Sequence, residues 1–151
     1  MIDPLLNRLL RPSLALVAKP LVHFGISANQ VTIFGFVLGM LAVPAIITEH
    51  FTLALILILI NRVSDGLDGA VARQTQTTDA GGFLDISLDF IFYSAIPFAF
   101  IVSHPEQNAL AGSLLMLSFT ATGSCFLAFA IMASKHNIDN PQYPNKSMHY
   151  M

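Results

Sequence analysis

Four stretches of this chain are apolar over about the 20 residues a helix needs to cross the hydrocarbon core of a bilayer, and nothing else in the sequence limits the fold as much. They run from about Val31 to Thr48, Phe51 to Arg73, Gly82 to Ser103 and Ala109 to Ser134. Of the 151 residues 54% are hydrophobic and 11% charged, whereas an ordinary soluble domain carries about 25% charged residues. A chain this poor in charge cannot cover a water-facing surface. The expected fold is all-α: a polytopic membrane helical bundle of four transmembrane helices preceded by an N-terminal amphipathic interfacial helix. It forms one domain over residues 1–151, with the interfacial helix at 1–24, the transmembrane region at 25–135 and a polar C-terminal tail at 136–151.

The seven Lys and Arg residues set the orientation. Arg8, Arg11 and Lys19 precede the first stretch, Arg62 and Arg73 fall near the end of the second, and Lys135 and Lys146 follow the fourth. The connections "TEHF" and "SHPEQN" contain none. Basic residues mark the cytoplasmic side, so both termini and the 74–81 loop are expected in the cytoplasm, in a multi-pass protein of the cell (inner) membrane. The segment "DPLLNRLLRPSLALVAKPLVHFG" is no signal peptide, since Arg11, Pro12, Lys19 and Pro20 interrupt its apolar residues and no small-residue cleavage site follows. Arg8, Arg11 and Lys19 fall near one helical face with Leu5, Leu6, Leu9 and Leu10 turned away, as in a helix lying in the interface. A net charge of −2 gives no basic surface for nucleic acid. The single Cys125 excludes an internal disulfide and a cysteine zinc site, and its apolar setting reads as a small buried filler.

Against this background the segment "SDGLDGAVARQTQTTDAGGFLDISLD" stands out, because it holds five of the nine acidic residues. An Asp at the centre of a membrane helix costs roughly 2.5–3.5 kcal/mol on insertion scales. Asp65 and Asp68 are three apart and Asp85 and Asp89 four apart, so each pair lies on one helix face. Counted from the outer ends of two antiparallel neighbours, Asp65 and Asp89 lie at matched depth and Asp68 and Asp85 about one turn nearer the cytoplasm. Four ionised carboxylates there repel by about 4 kcal/mol per pair at 4 Å and an effective dielectric of 20. All-oxygen ligation by carboxylates suits hard divalent cations, Mg²⁺ or Mn²⁺. The spacing can hold one or two such ions, with positions open for a substrate's phosphates. Gly66, Gly69, Gly81 and Gly82 leave room for close approach, and Arg73 can hold a phosphate oxygen.

Asp65-Gly-Leu-Asp68-Gly69-Ala-Val-Ala72-Arg73, followed by Gly81, Asp85 and Asp89, resembles the signature D-x2-D-G-x2-A-R-x8-G-x3-D-x3-D of the CDP-alcohol phosphatidyltransferase family. "ISANQVTIFG" also resembles the family's entry segment, through Asn29, Thr32 and Gly35. The resemblance covers about residues 25–135. Seven residues rather than eight separate Arg73 from Gly81, in a loop where the deletion keeps the register of both Asp pairs. The family usually has six transmembrane helices, so a chain with four is expected to be a truncated product or fragment. The resemblance implies transfer of a substituted phosphate from a CDP-alcohol lipid donor to a small alcohol acceptor, with release of CMP. It implies Asp65, Asp68 and Asp85 as metal ligands, and Asp89 as ligand of a second ion and catalytic base. It implies Gly69, Arg73 and Thr78, with Asn29 and Thr32, as contacts to the CDP moiety.

Gly35 and Gly39 form G-x-x-x-G, which serves either packing inside the bundle or a homodimer interface. Pro44 and Pro97 are expected to kink their helices. "TATGSC" reads as helix packing, Arg62 as snorkelling or paired, and Tyr93 as a core residue within reach of the cavity. Two other functions compete: a divalent-cation transporter using the Asp cluster as a ligand ring, and a catalytically inactive family fragment. "LALILILI" and "FIFYSAIPFAFIV" argue against a conduit, because they seal the outer half. An aromatic-acceptor prenyltransferase needs a different Asp pattern and about twice as many helices.

Overall fold

A computed structural model describes residues 3–136, with the side chains of residues 3–10 and of Ser134 left aside. The expected tail from residue 137 onward, and the side chains of Arg8, Leu5, Leu6, Leu9 and Leu10, lie outside the described residues. The described regular structure is entirely helical: α1 (Asp3–His23), α2 (Ala28–Met40), α3 (Ala42–Ile47), α4 (Phe51–Gln74), α5 (Asp79–Ser103) and α6 (Pro105–Lys135). Among the described residues, three stretches are long and apolar enough to cross a membrane: Ala28–Ile47, Asp79–Ser103 and Pro105–Ala133. The 24-residue α4 matches them in length but carries Arg62, Asp65, Asp68 and Arg73.

The helices start earlier than hydropathy alone indicates because polar residues cap them. Ser27 and Gln30 form a reciprocal capping box at the start of α2. The Thr78 hydroxyl accepts from the Gly81 amide at 3.1 Å at the start of α5. Between α1 and α2, the Gly25 amide donates to the Val22 carbonyl and the Ile26 amide to that of Leu21, with Gly25 at φ 73°. That is a Schellman turn, in which a left-handed glycine lets the chain reverse without strain.

The two prolines act differently. Pro44 lacks the amide that would reach the Met40 carbonyl, and the first membrane stretch breaks at Leu41 into α2 and α3. Pro97 lies inside α5, which continues unbroken to Ser103. There α6 comes close: a Cβ on Gly112 would lie 3.3 Å from the Pro97 carbonyl oxygen.

The glycines of G-x-x-x-G have a definite partner. Both are buried on the face of α2 against α4, where a Cβ on Gly39 would lie 2.8–2.9 Å from the Asn61 side chain and one on Gly35 would overlap Ser64. The motif therefore serves packing within the bundle, and the dimer reading has no support here. The far ends of α4 and α5 are pinned by Phe51 stacked on Phe100, with ring centroids 6.1 Å apart. Ala42, Ala45, Ile46, Ala54 and Ala99 form a tight core there. At the near end, Ala18 of α1 packs with Val31, Ala70 and Val71, flanked by Leu14, Leu21 and Val22. The described apolar face of α1 is thus seated on the bundle.

The helix α6 leans on α5, through Gly112 and through Gly123, whose missing Cβ makes room for the Phe90 ring. Cys125 is exposed rather than buried. The expectation failed because hydropathy does not say how many neighbours a helix has, and among the described elements α6 packs chiefly on one.

Replacing Gly39 by Val puts three carbon atoms into space held by Asn61, and overpacking of this kind costs about 1–3 kcal/mol. A thermal melt in detergent should show Gly39→Val clearly destabilised. Leu114→Ala, on the exposed face of α6, should melt close to the parent protein.

Candidate functional site

The near halves of α4 and α5 face each other in antiparallel register. From Phe51 to Arg62 is eleven residues and from Phe100 back to Asp89 is also eleven. With a rise of about 1.5 Å per residue, the stacked rings at the far end therefore place Arg62 level with Asp89. The Arg62 Nη2 donates to Asp89 Oδ1 at 2.8 Å.

Asp65, Asp85 and Asp89 each offer a carboxylate oxygen within 4.8 Å of the others. Opposite ligands of an ion with bonds of about 2.1 Å stand about 4.2 Å apart, so this spacing is on the scale of one coordination sphere. The donor set is all oxygen and anionic, which fits Mg²⁺ or Mn²⁺ and not a soft metal. Asp68 lines the same cleft together with Thr32, Gly35 and Asn61, but it is 4% exposed and engaged differently. Thr32 of α2 donates to its Oδ2 at 2.6 Å. The Thr32 hydroxyl also lies 3.1 Å from the Ala28 carbonyl, and with one proton to give it favours the charged acceptor. Three of the four expected ligands therefore form a compact set, and the fourth is held to the side by Thr32.

Of the five residues expected to meet the CDP moiety, Thr32 lines this cleft, and the others lie at the near ends of α2, α4 and α5. Asn29 Oδ1 and Thr78 Oγ1 lie 2.9 and 3.0 Å from where a Cβ of Gly81 would be, which joins the starts of α2 and α5. The Arg73 guanidinium folds back over Gly69, 3.2 Å from the position a Cβ would take. Thr32 faces inward, on Asp68. Lys135 and His136 are exposed at the end of α6, while His50 and His104 lie at the far end. There the Glu49 carboxylate and His104 Nε2 are 3.2 Å apart.

Sequence reasoning gave too little weight to the deep wall of the cleft. The Arg62 Nη1 donates to the Tyr93 hydroxyl at 2.5 Å, and that hydroxyl lies 3.2 Å from Asp89 Oδ2. Asn61 Oδ1 accepts from Arg62 Nε at 3.0 Å and from Nη2 at 2.5 Å. The Asn61 Nδ2 donates in turn to the Gly35 carbonyl at 3.1 Å. The guanidinium carbon sits 5.1 Å from the Phe92 ring centre and 4.9 Å from that of Tyr93. Arg62 is thus paired and does not snorkel, and Tyr93 combines packing with a polar contact to the acid cluster. One signal was available: Asn61 and Arg62 are adjacent polar residues interrupting an apolar run.

Residues 25–146 match the family model for CDP-alcohol phosphatidyltransferase. The chain belongs to this family. The inner membrane protein YnjF of Escherichia coli (strain K12) is 51% identical over 151 residues, 100% of this chain and 73% of that protein. The archaetidylinositol phosphate synthase of Pyrococcus horikoshii is 37% identical over 83 residues, 54% of this chain and 44% of the synthase. The bifunctional IPC transferase and DIPP synthase of Aquifex aeolicus is 38% identical over 101 residues, 62% of this chain and 23% of that protein. The chain thus spans less than half of either named synthase. No solved structure matches it. Members of the family act in membranes on CDP-alcohol donors and alcohol acceptors, and generally use divalent metal ions.

The link between Thr32 and Asp68 gives a direct test. Thr32→Val keeps the shape but removes the donor to a buried carboxylate, a loss of about 1–3 kcal/mol. Melting of this variant in detergent should fall accordingly, and Thr32→Ser should restore most of the loss.

Proposed function

We propose that the chain is a membrane transferase of phospholipid biosynthesis. It moves a substituted phosphate (phosphatidyl) group from a CDP-alcohol, such as CDP-diacylglycerol, to the hydroxyl of an acceptor alcohol and releases CMP. The observation that carries this reading is the convergence of Asp65, Asp85 and Asp89 within 4.8 Å, between helices whose other halves are apolar. In this reading α4 is a fourth span, with its charges gathered toward the cleft. The positive-inside bias puts both termini and the cleft mouth on the cytoplasmic side. A nucleotide can then stay in water while the lipid chains remain in the bilayer.

Asp65, Asp68, Asp85 and Asp89 hold one or two divalent ions, Mg²⁺ or Mn²⁺. When bound, such ions neutralise the charge of the diphosphate and of the in-line transition state. Gly69, Arg73, Thr78, Asn29 and Thr32 receive the CDP moiety at the mouth, and the planar Arg73 guanidinium suits two phosphate oxygens at once. Asp89 takes the proton of the acceptor hydroxyl as its oxygen bonds to the phosphorus carrying the donor alcohol. The bond from that phosphorus to the CMP oxygen breaks, and CMP leaves with the electron pair. Asp89 keeps lone pairs for this task, because Arg62 and Tyr93 each occupy one site on a group with about four.

Against a cation conduit, the described core beyond the Arg62–Tyr93 contact is apolar. Ala42, Ala45, Ile46, Ala54 and Ala99 pack there against Leu57, Ile58 and Ile96, which supports a dead-ended cleft.

The test is release of CMP from CDP-diacylglycerol with Mn²⁺ and a panel of acceptor alcohols. Asp89→Asn should lower turnover by about 10²- to 10⁴-fold, the range for loss of a general base, while CDP-diacylglycerol still binds. Undiminished CMP release from this variant would refute the assignment. Chelation of divalent ions should stop the reaction, and added Mg²⁺ or Mn²⁺ should restart it.

A further inference from the structure

We propose that Arg62 is a built-in cation of the acid cluster, and that it makes binding of a second divalent ion depend on the arrival of the anionic donor. This rests on the metal-assisted reading above. The guanidinium is fixed: Asn61 grips Nε and Nη2, the Tyr93 hydroxyl meets Nη1, and the Phe92 and Tyr93 rings flank it. From that seat it reaches Asp89 Oδ1 at 2.8 Å and stands 4.0 Å from Asp65 Oδ2. Its contacts thus fall on two of the three carboxylates that converge. Asn61 is 5% exposed and anchored to the Gly35 carbonyl, so the seat belongs to the packing of α2 on α4.

Charge then governs how many ions the cleft accepts. With all four Asp residues ionised and Arg62 in place, the cleft carries three negative charges. One divalent ion leaves it with one negative charge. A second would make it positive inside an apolar bundle, which like-charge repulsion opposes. The diphosphate of a CDP-alcohol reverses that balance by bringing its own negative charges. Arg73 is exposed in the last turn of α4, where in this reading it meets those phosphates and not the deep wall. Arg62 is a positioning residue here: it fixes Asp89 from behind and touches neither donor nor acceptor.

The experiment counts Mn²⁺ bound to the detergent-purified protein by electron paramagnetic resonance, with and without CDP-diacylglycerol. The parent protein should bind one Mn²⁺ alone and a second with the donor. Arg62→Gln should bind two without donor, the first at least about tenfold more tightly because a neighbouring positive charge is gone. Arg62→Lys, which keeps the charge, should behave like the parent. A purely structural Arg62 predicts the opposite sign, with weaker binding in Arg62→Gln. Unchanged or weakened Mn²⁺ binding in folded Arg62→Gln would overturn the proposal. So would two Mn²⁺ on the donor-free parent, a measurement that needs no variant to fold. Failure of the parent to bind any Mn²⁺ would overturn the metal site itself, and this proposal with it.

Discussion

A carboxylate can only accept hydrogen bonds, so every Asp withdrawn from water into an apolar bundle needs a donor or a cation brought to it. Much of the arrangement of α2, α4 and α5 follows from that need. Asp68 is served by Thr32, which reaches it only because α2 lies close to α4. That approach is set by Gly35 and Gly39, where a Cβ would collide with Ser64 and Asn61. The same approach lets Asn61 anchor on the Gly35 carbonyl and turn its own oxygen to Arg62. Arg62 then reaches across to Asp89. A pair of missing side chains on one helix thus supports, two links away, the position of an acidic side chain on another.

Part of this was legible in the sequence, for definite reasons. Helical spacing of three and four assigns Asp65 with Asp68 and Asp85 with Asp89 to shared faces. The antiparallel count from the outer ends put Asp65 and Asp89 at one depth, and the structure brings them together with Asp85. Among the described residues, three of the four expected stretches are long and apolar enough to span a membrane, and α4 passes as a fourth only if its charges are gathered on one side. What periodicity could not supply is the identity of neighbours. Small residues at i and i+4 announce close packing without saying against what, so Gly35 and Gly39 stayed open between bundle and dimer. Tyr93 lies in a run of aromatic and aliphatic residues, where nothing marks its hydroxyl as the one that finds an acid. Cys125 was misplaced for the same reason. Equal hydropathy on all sides of a helix gives no indication of which side has a neighbour.

The rest of the bundle shows why the acid cluster differs in kind from its other polar groups. Ser118 and Thr120 are exposed on the apolar helix α6, yet each hydroxyl donates to the carbonyl one turn back, at 2.9 and 3.0 Å. Hydroxyls can settle their own requirements in this way within a single helix. Asn61 is satisfied on both sides, its amide NH2 by the Gly35 carbonyl and its oxygen by the Arg62 guanidinium. Among the described residues, no buried side-chain nitrogen or oxygen lacks a hydrogen-bond partner. Carboxylates have no self-contained solution, and their partners remove only part of the charge. Thr32 and Tyr93 give neutral donors, and Arg62 gives one positive charge among four acids. Hydrogen bonds can be complete while charge is not, and in the proposed reaction that residue of negative charge is what the cleft offers to a cation and, through the cation, to a diphosphate.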